Sequence, residues 1–158
     1  LFRSNNYYDY EDSDSSSSIT GSRAEYYEVD DDGDEYTVTI IGAPETIDFD
    51  IDVYYTHIVN HGLGYSINTE DEDVPYEIQN IITGVEFSRA TLTGTPSYDN
   101  PYAIHFYSKD DSSTSLTVYN NKLIKYKGNW YYAEDGEIDT GALENICEEH
   151  ENDELTEE

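Results

Sequence analysis

The sequence predicts a mainly β protein, with α+β as the alternative: an antiparallel sheet or meander carrying one or two short helices. Three observations predict it. Residues 101–133 divide into four short β-rich runs separated by tight-turn residues. Val, Ile, Thr and Tyr recur with period two in several upstream runs. Helical spacing of apolar residues is confined to two short windows, and no run of 18 or more apolar residues occurs.

Residues 1–34 read as a disordered, acidic Ser/Tyr-rich linker. The stretch SNNYYDYEDSDSSSSITGS has almost no aliphatic side chains, so burial cannot offset its ordering entropy. Leu1-Phe2-Arg3 fits the stub of a removed signal anchor, and an arbitrary start fits equally. Asp30, Asp32 and Asp34 are candidate calcium ligands. An EF-hand loop requires Gly at its sixth position and Glu at its twelfth. Counted from Asp30, Gly33 is fourth and Ile41 is twelfth. A looser calcium site or a charged turn before the first strand remains.

A single β-rich domain is expected over 35–150. Tyr36–Ile41 alternates and is β-branched, which predicts a strand; Gly42-Ala43-Pro44 ends it. Ile47–Val53 alternates apolar residues with Asp48, Asp50 and Asp52, the pattern of a half-solvated strand with aspartates about 7 Å apart along one face. Tyr54–His61 admits two readings. A continued strand is one. A helical turn ended by Gly62 is the other, and it would place His57 and His61 together as a zinc pair lacking a third ligand. Tyr65-Ser66-Ile67 predicts a short strand. Pro75 near the start, Ile78, Ile81 and Ile82 within and Gly84 after predict a short helix over 76–83, with a strand as the alternative. Val85–Thr93 returns to β character. Thr140 is the expected cap of a last helix, with Leu143, Ile146 and Cys147 as its apolar stripe. A buried Cys147 follows, and a lone cysteine excludes an internal disulfide. Residues 151–158 form an acidic tail.

The register of the meander decides which of its residues share a face. A three-residue loop at Asn120-Asn121-Lys122, with one Asn left-handed, pairs Val118 with Ile124 and Leu116 with Tyr126. A turn at Gly128-Asn129 then pairs Tyr126 with Tyr131. One face carries Leu116, Val118, Ile124, Tyr126 and Tyr131. The other carries Thr117, Tyr119, Leu123, Lys125, Lys127, Trp130 and Tyr132, with Tyr119, Lys125, Lys127, Trp130 and Tyr132 as candidate ligand residues. Ring faces pack on sugar C–H surfaces or side chains, and Lys donates hydrogen bonds. Core packing of Trp130 under the last helix is the competing reading.

The charge map favours this region. The chain has a net charge of −29, yet residues 102–133 hold all four lysines against two aspartates. Such an acidic chain argues against DNA or anionic membranes as partners, because both require neutralisation of phosphate by Lys and Arg. Membrane association is expected only through an N-terminal anchor.

Gly128, Trp130, Tyr131, Tyr132, Gly136, Thr140 and Gly141 lie in YKGNWYYAEDGEIDTG. This stretch resembles one hairpin unit of the choline- or glucan-binding repeats of secreted Gram-positive proteins. Those families build each ligand site between stacked copies, and this chain has one. The G-x-W-Y-Y ending is also similar to the last strand of small extracytoplasmic bacterial domains. The resemblance implies an extracellular or surface-anchored protein of Gram-positive type. The expected function is a non-catalytic binding module for cell-wall glycan or a protein, with no cofactor unless calcium. An acidic inhibitor or immunity-type protein masking a basic partner is the alternative. A hydrolase using carboxylate pairs or histidines is a second, though the chain has no Ser/Cys-His signature.

Overall fold

Hydrogen-bonded neighbours extend the meander on both sides into one sheet. The computed structural model describes residues 24–49 and 52–153. In chain order the elements are β1 (Ala24–Val29), β2 (Glu35–Ile40), β3 (Val53–Asn60), β4 (Tyr65–Thr69), α1 (Asp73–Thr83), β5 (Ser88–Leu92), β6 (Tyr102–Ser108), β7 (Ser113–Val118), β8 (Leu123–Tyr126), β9 (Asn129–Tyr132) and α2 (Thr140–His150). Nine strands lie in the order β1-β2-β5-β9-β8-β7-β6-β3-β4, every pair antiparallel. The mainly β expectation with two short helices holds.

The two halves of the sheet bury opposite faces. Over β4, β3, β6, β7 and β8, the face bearing Ile67, Ile58, Ile104, Phe106, Leu116, Val118 and Ile124 is buried. The apolar stripes of α1 (Val74, Ile78, Ile82) and α2 (Leu143, Ile146, Cys147) join that core. Over β1, β2, β5 and β9 the other face is buried instead, through Tyr36, Val38, Ile40, Ala90 and Tyr132, with Leu123 of β8. That half curls on itself. Strands β1 and β9 are three spacings apart, about 14 Å in a flat sheet. The rings of Tyr26 and Tyr132 nevertheless lie 5.1 Å apart, and the Tyr132 hydroxyl donates to Glu28.

The expected pairings Val118↔Ile124 and Leu116↔Tyr126 are present. No asparagine is left-handed in their loop. Instead Asn120 Oδ1 accepts from the amides of Lys122 and Leu123, both at 2.9 Å. The next turn is centred on Lys127-Gly128 rather than Gly128-Asn129, with φ of +52° and +82°. Positive φ at both central residues suits the right-handed twist of the flanking strands. Ile124 therefore pairs with Tyr131, and Tyr126 with Asn129. The correction is a slip of two residues, which leaves both faces as expected because side chains alternate with period two.

Other corrections concern boundaries. Residues 24–34 are not linker. Strand β1 pairs along its whole length with β2, and the hairpin tip is held by Asp30. Residues 1–23 lie outside the described residues, as do 154–158 of the acidic tail. Glu151–Asp153 continue from α2, and Asp153 accepts from Thr69 Oγ1 at 2.6 Å and His150 Nδ1 at 2.8 Å. Residues 47–49 are buried at Ile47 and Phe49 but are not a strand. Gln79 Nε2 donates to the Phe49 carbonyl at 2.9 Å, in place of a neighbouring strand. Asp50 lies outside the described residues. Helix α1 starts at Asp73, so Pro75 occupies its first turn, where a missing N–H costs nothing. The cap of α2 is Asp139, whose Oδ1 accepts from the Ala142 amide at 3.0 Å, not Thr140.

Candidate functional site

With both helices on one face, the opposite face of β4, β3, β6, β7 and β8 is left uncovered by the described residues. Between Leu123 of β8 and the far edge, no side chain on it is fully buried. Three cross-strand rows run over it. The first pairs Tyr55 of β3 with Tyr107 of β6, rings stacked at 4.6 Å. The second runs Asn68–His57–His105–Ser115 across β4, β3, β6 and β7. The third runs Val59–Ala103–Thr117–Lys125–Trp130 from β3 to β9.

The polar row is hydrogen-bonded at both ends. His57 Nδ1 bonds Asn68 Oδ1 at 2.9 Å, and His105 Nδ1 bonds Ser115 Oγ at 2.8 Å. The two imidazoles lie side by side, their centroids 5.9 Å apart and their planes 29° from parallel. Burial, then the neighbouring His57, holds His105 below the usual histidine range. Beside this row Ser113, Ser115, Thr117, Lys125 and Lys127 line a shallow depression of about 290 Å³. On the β9 side, outside this lining, Lys125 meets an aromatic pair. Lys125 Nζ lies 5.0 Å from the Trp130 ring centroid, a cation–π distance, and Tyr119 lies 5.0 Å from Trp130.

The five expected ligand residues are thus split. Lys125, Lys127, Trp130 and Tyr119 border the open face, with Trp130 and Tyr119 half-buried where it meets the curled half. Tyr132 is 3% exposed and belongs to the core, beneath Tyr26. The helix α2 does not cover Trp130; its buried residues join the other core. Tyr55, His57, His105, Tyr107, Asn68 and Ser115 are additional. Their signal is in the sequence: Tyr55-x-His57 and His105-x-Tyr107 are mirror images, and antiparallel pairing sets ring against ring.

The acidic candidates are placed differently. Asp30 Oδ1 accepts from the Asp32 and Asp34 amides, and its Oδ2 from the Ser97 amide at 2.9 Å. The Ser97 bond is the largest cause holding the Asp30 carboxyl below the usual range. Asp30 thereby closes the β1–β2 turn and ties it to the 97–99 segment, where Asp31 accepts from the Asp99 amide. Asp32 and Asp34 are exposed and do not converge with it as a ligand set. His61 lies in the exposed turn after β3 and is not paired with His57, because 53–60 is strand rather than helix. Cys147 is buried, and burial, with Glu144 and Glu148 adding, pushes its thiol up to about 12.

No protein-family model matches the chain, and no curated protein or solved structure matches it.

Proposed function

We propose that the open sheet face is a ligand surface and that the protein is a non-catalytic binding module directed at cell-wall or related glycans. The observation that carries this reading is the pairing of half-buried aromatic rings with hydroxyl and ammonium donors on one uncovered face. Tyr55 and Tyr107 stand at one side and Trp130 and Tyr119 at the other, with Ser115, Thr117, Lys125 and Lys127 between them. Rings accept the C–H faces of a sugar, and the donors fix its hydroxyls. The low-complexity acidic start of the chain, its single cysteine and its G-x-W-Y-Y hairpin support a secreted or surface-anchored bacterial protein. The test is a glycan and cell-wall array probed with the full chain and with Tyr107→Ala and Lys125→Ala. Binding by the parent and its loss in both variants, at unchanged melting temperature, supports the reading. Equal binding by all three overturns it.

One observation favours the second reading, an acidic protein that masks a basic partner. Asp52, Glu70 and Glu72, with Tyr54 (37% exposed) and Tyr76 (52% exposed), line a separate depression of about 560 Å³ that also takes in Lys109. Carboxylates beside exposed rings would seat a cationic side chain. Capture of a basic protein that salt abolishes, with loss on Tyr76→Ala, supports this reading. Salt-independent glycan binding counts against it.

A further inference from the structure

We propose that His57 and His105 form a two-imidazole binding site for a divalent transition-metal ion, Zn²⁺ or Cu²⁺, at the centre of the open sheet face. The two residues are direct partners across β3 and β6, so the backbone ladder, not a loop, sets their spacing. Each ring has its Nδ1 occupied from the outer side, by Asn68 on β4 and by Ser115 on β7. Asn68 Oδ1 is an acceptor only, so His57 Nδ1 must be the protonated nitrogen. That tautomer leaves the Nε2 lone pair free. A metal-ligating histidine commonly has this arrangement, with its other N–H held by an oxygen that orients the ring.

The spacing fits as well. With a metal–nitrogen bond of about 2.0–2.1 Å, two imidazoles on one ion have centroids about 5–6 Å apart. The observed separation is 5.9 Å. Among the described residues no group of three or more His, Cys, Asp or Glu gathers around a shared point. Water therefore completes the coordination, and the ion keeps open positions facing solvent. Imidazole pairs of this kind select copper and zinc over calcium and magnesium, which take oxygen ligands. Neither the histidine geometry nor its test depends on the glycan reading.

The experiment is calorimetric titration of the full chain with Zn²⁺ alone and with Cu²⁺ alone. Excess Mg²⁺ is present to occupy surface carboxylates. The expected result is one ion per chain, with Cu²⁺ tighter than Zn²⁺. His57→Gln and His105→Gln each abolish the event. Asn68→Ala weakens it about tenfold or more, while Asn68→Asp, which keeps the acceptor, restores it. His61→Gln leaves it unchanged. His150→Gln is the decisive control, because His150 lies between Asp71 and Asp153 and is the competing location. Loss of binding in His150→Gln with retention in His105→Gln overturns the proposal, as does the absence of any Mg²⁺-resistant binding. Imidazole NMR signals of the unsubstituted chain give a second readout that needs no variant. The His57 and His105 signals must shift together at one equivalent, and a shift of only one of them overturns the shared site.

Discussion

Replacing Tyr132 by alanine separates core from surface in the aromatic cluster. Tyr132 is 3% exposed, its ring lies 5.1 Å from that of Tyr26, and its hydroxyl donates to Glu28. Truncation removes nearly all of that buried area and leaves a cavity under β1, a loss of about 3–5 kcal/mol by analogy with other large aromatic deletions. For a domain of this size the melting temperature falls by about 10–20 °C. Tyr132→Phe keeps the ring and removes the bond to half-exposed Glu28, which water then solvates, so it costs only about 1 kcal/mol. Trp130→Ala removes a half-buried ring and costs about 1–2 kcal/mol. Thermal unfolding followed by circular dichroism ranks the three. A Tyr132→Ala protein that melts within a few degrees of the parent would refute the curl of β1 over β9 and return Tyr132 to the surface.

Thr56 Oγ1 is buried opposite Phe106 with no hydrogen-bond partner among the described residues, so Thr56→Val raises stability by about 1–2 kcal/mol in urea unfolding; destabilisation would mean the hydroxyl has an acceptor. Lys127 is left-handed in its turn, so Lys127→Gly removes a steric cost of about 1 kcal/mol and raises the melting temperature; an unchanged or lower value would contradict the positive φ. Stability should also fall at high pH. Burial pushes Cys147 and Tyr102 each up to about 12, and drives Tyr36 and Tyr132 above the usual tyrosine range, aided by their bonds to Tyr98 and Glu28. All four are neutral in the fold and ionise at ordinary values once unfolded. Their contribution is therefore complete below about pH 8.5 and is lost as pH climbs toward their raised values. A urea midpoint that stays flat from neutral pH to 12 would count against their burial.

The strands of the meander were legible because alternation and turn residues agree there. The faces survived an error in the turn at Lys127-Gly128, since a slip of two residues preserves them. Strand β1 was not legible. Ala24-Glu25-Tyr26-Tyr27-Glu28-Val29 carries little aliphatic pattern, and it is held by tyrosine packing and a carboxylate bond to residues about a hundred positions away. For the Asp-rich turn, read as a looser calcium site or a charged turn, the sequence shows the charges without their partners. Backbone amides from 97–99 and from the turn itself take up Asp30 and Asp31. Half of the open face lay outside the expected site for a related reason. His57 and His105 become neighbours only when β3 inserts between β6 and β4, a non-consecutive pairing, and the mirrored Tyr55-x-His57 and His105-x-Tyr107 triplets are informative only once that pairing is known. Tyr132 was assigned correctly to its face, but that face changes from open to buried where the sheet curls.

Amide and indole NMR shift mapping of the full chain, titrated with soluble peptidoglycan fragments, tests the open face most directly. The account predicts saturable shifts at Tyr55, Tyr107, Thr117, Lys125 and the Trp130 indole N–H, with α1 and α2 unmoved. Shifts confined to the helices or to the Tyr54–Tyr76 depression, or none with any glycan that the array shows bound, would contradict it.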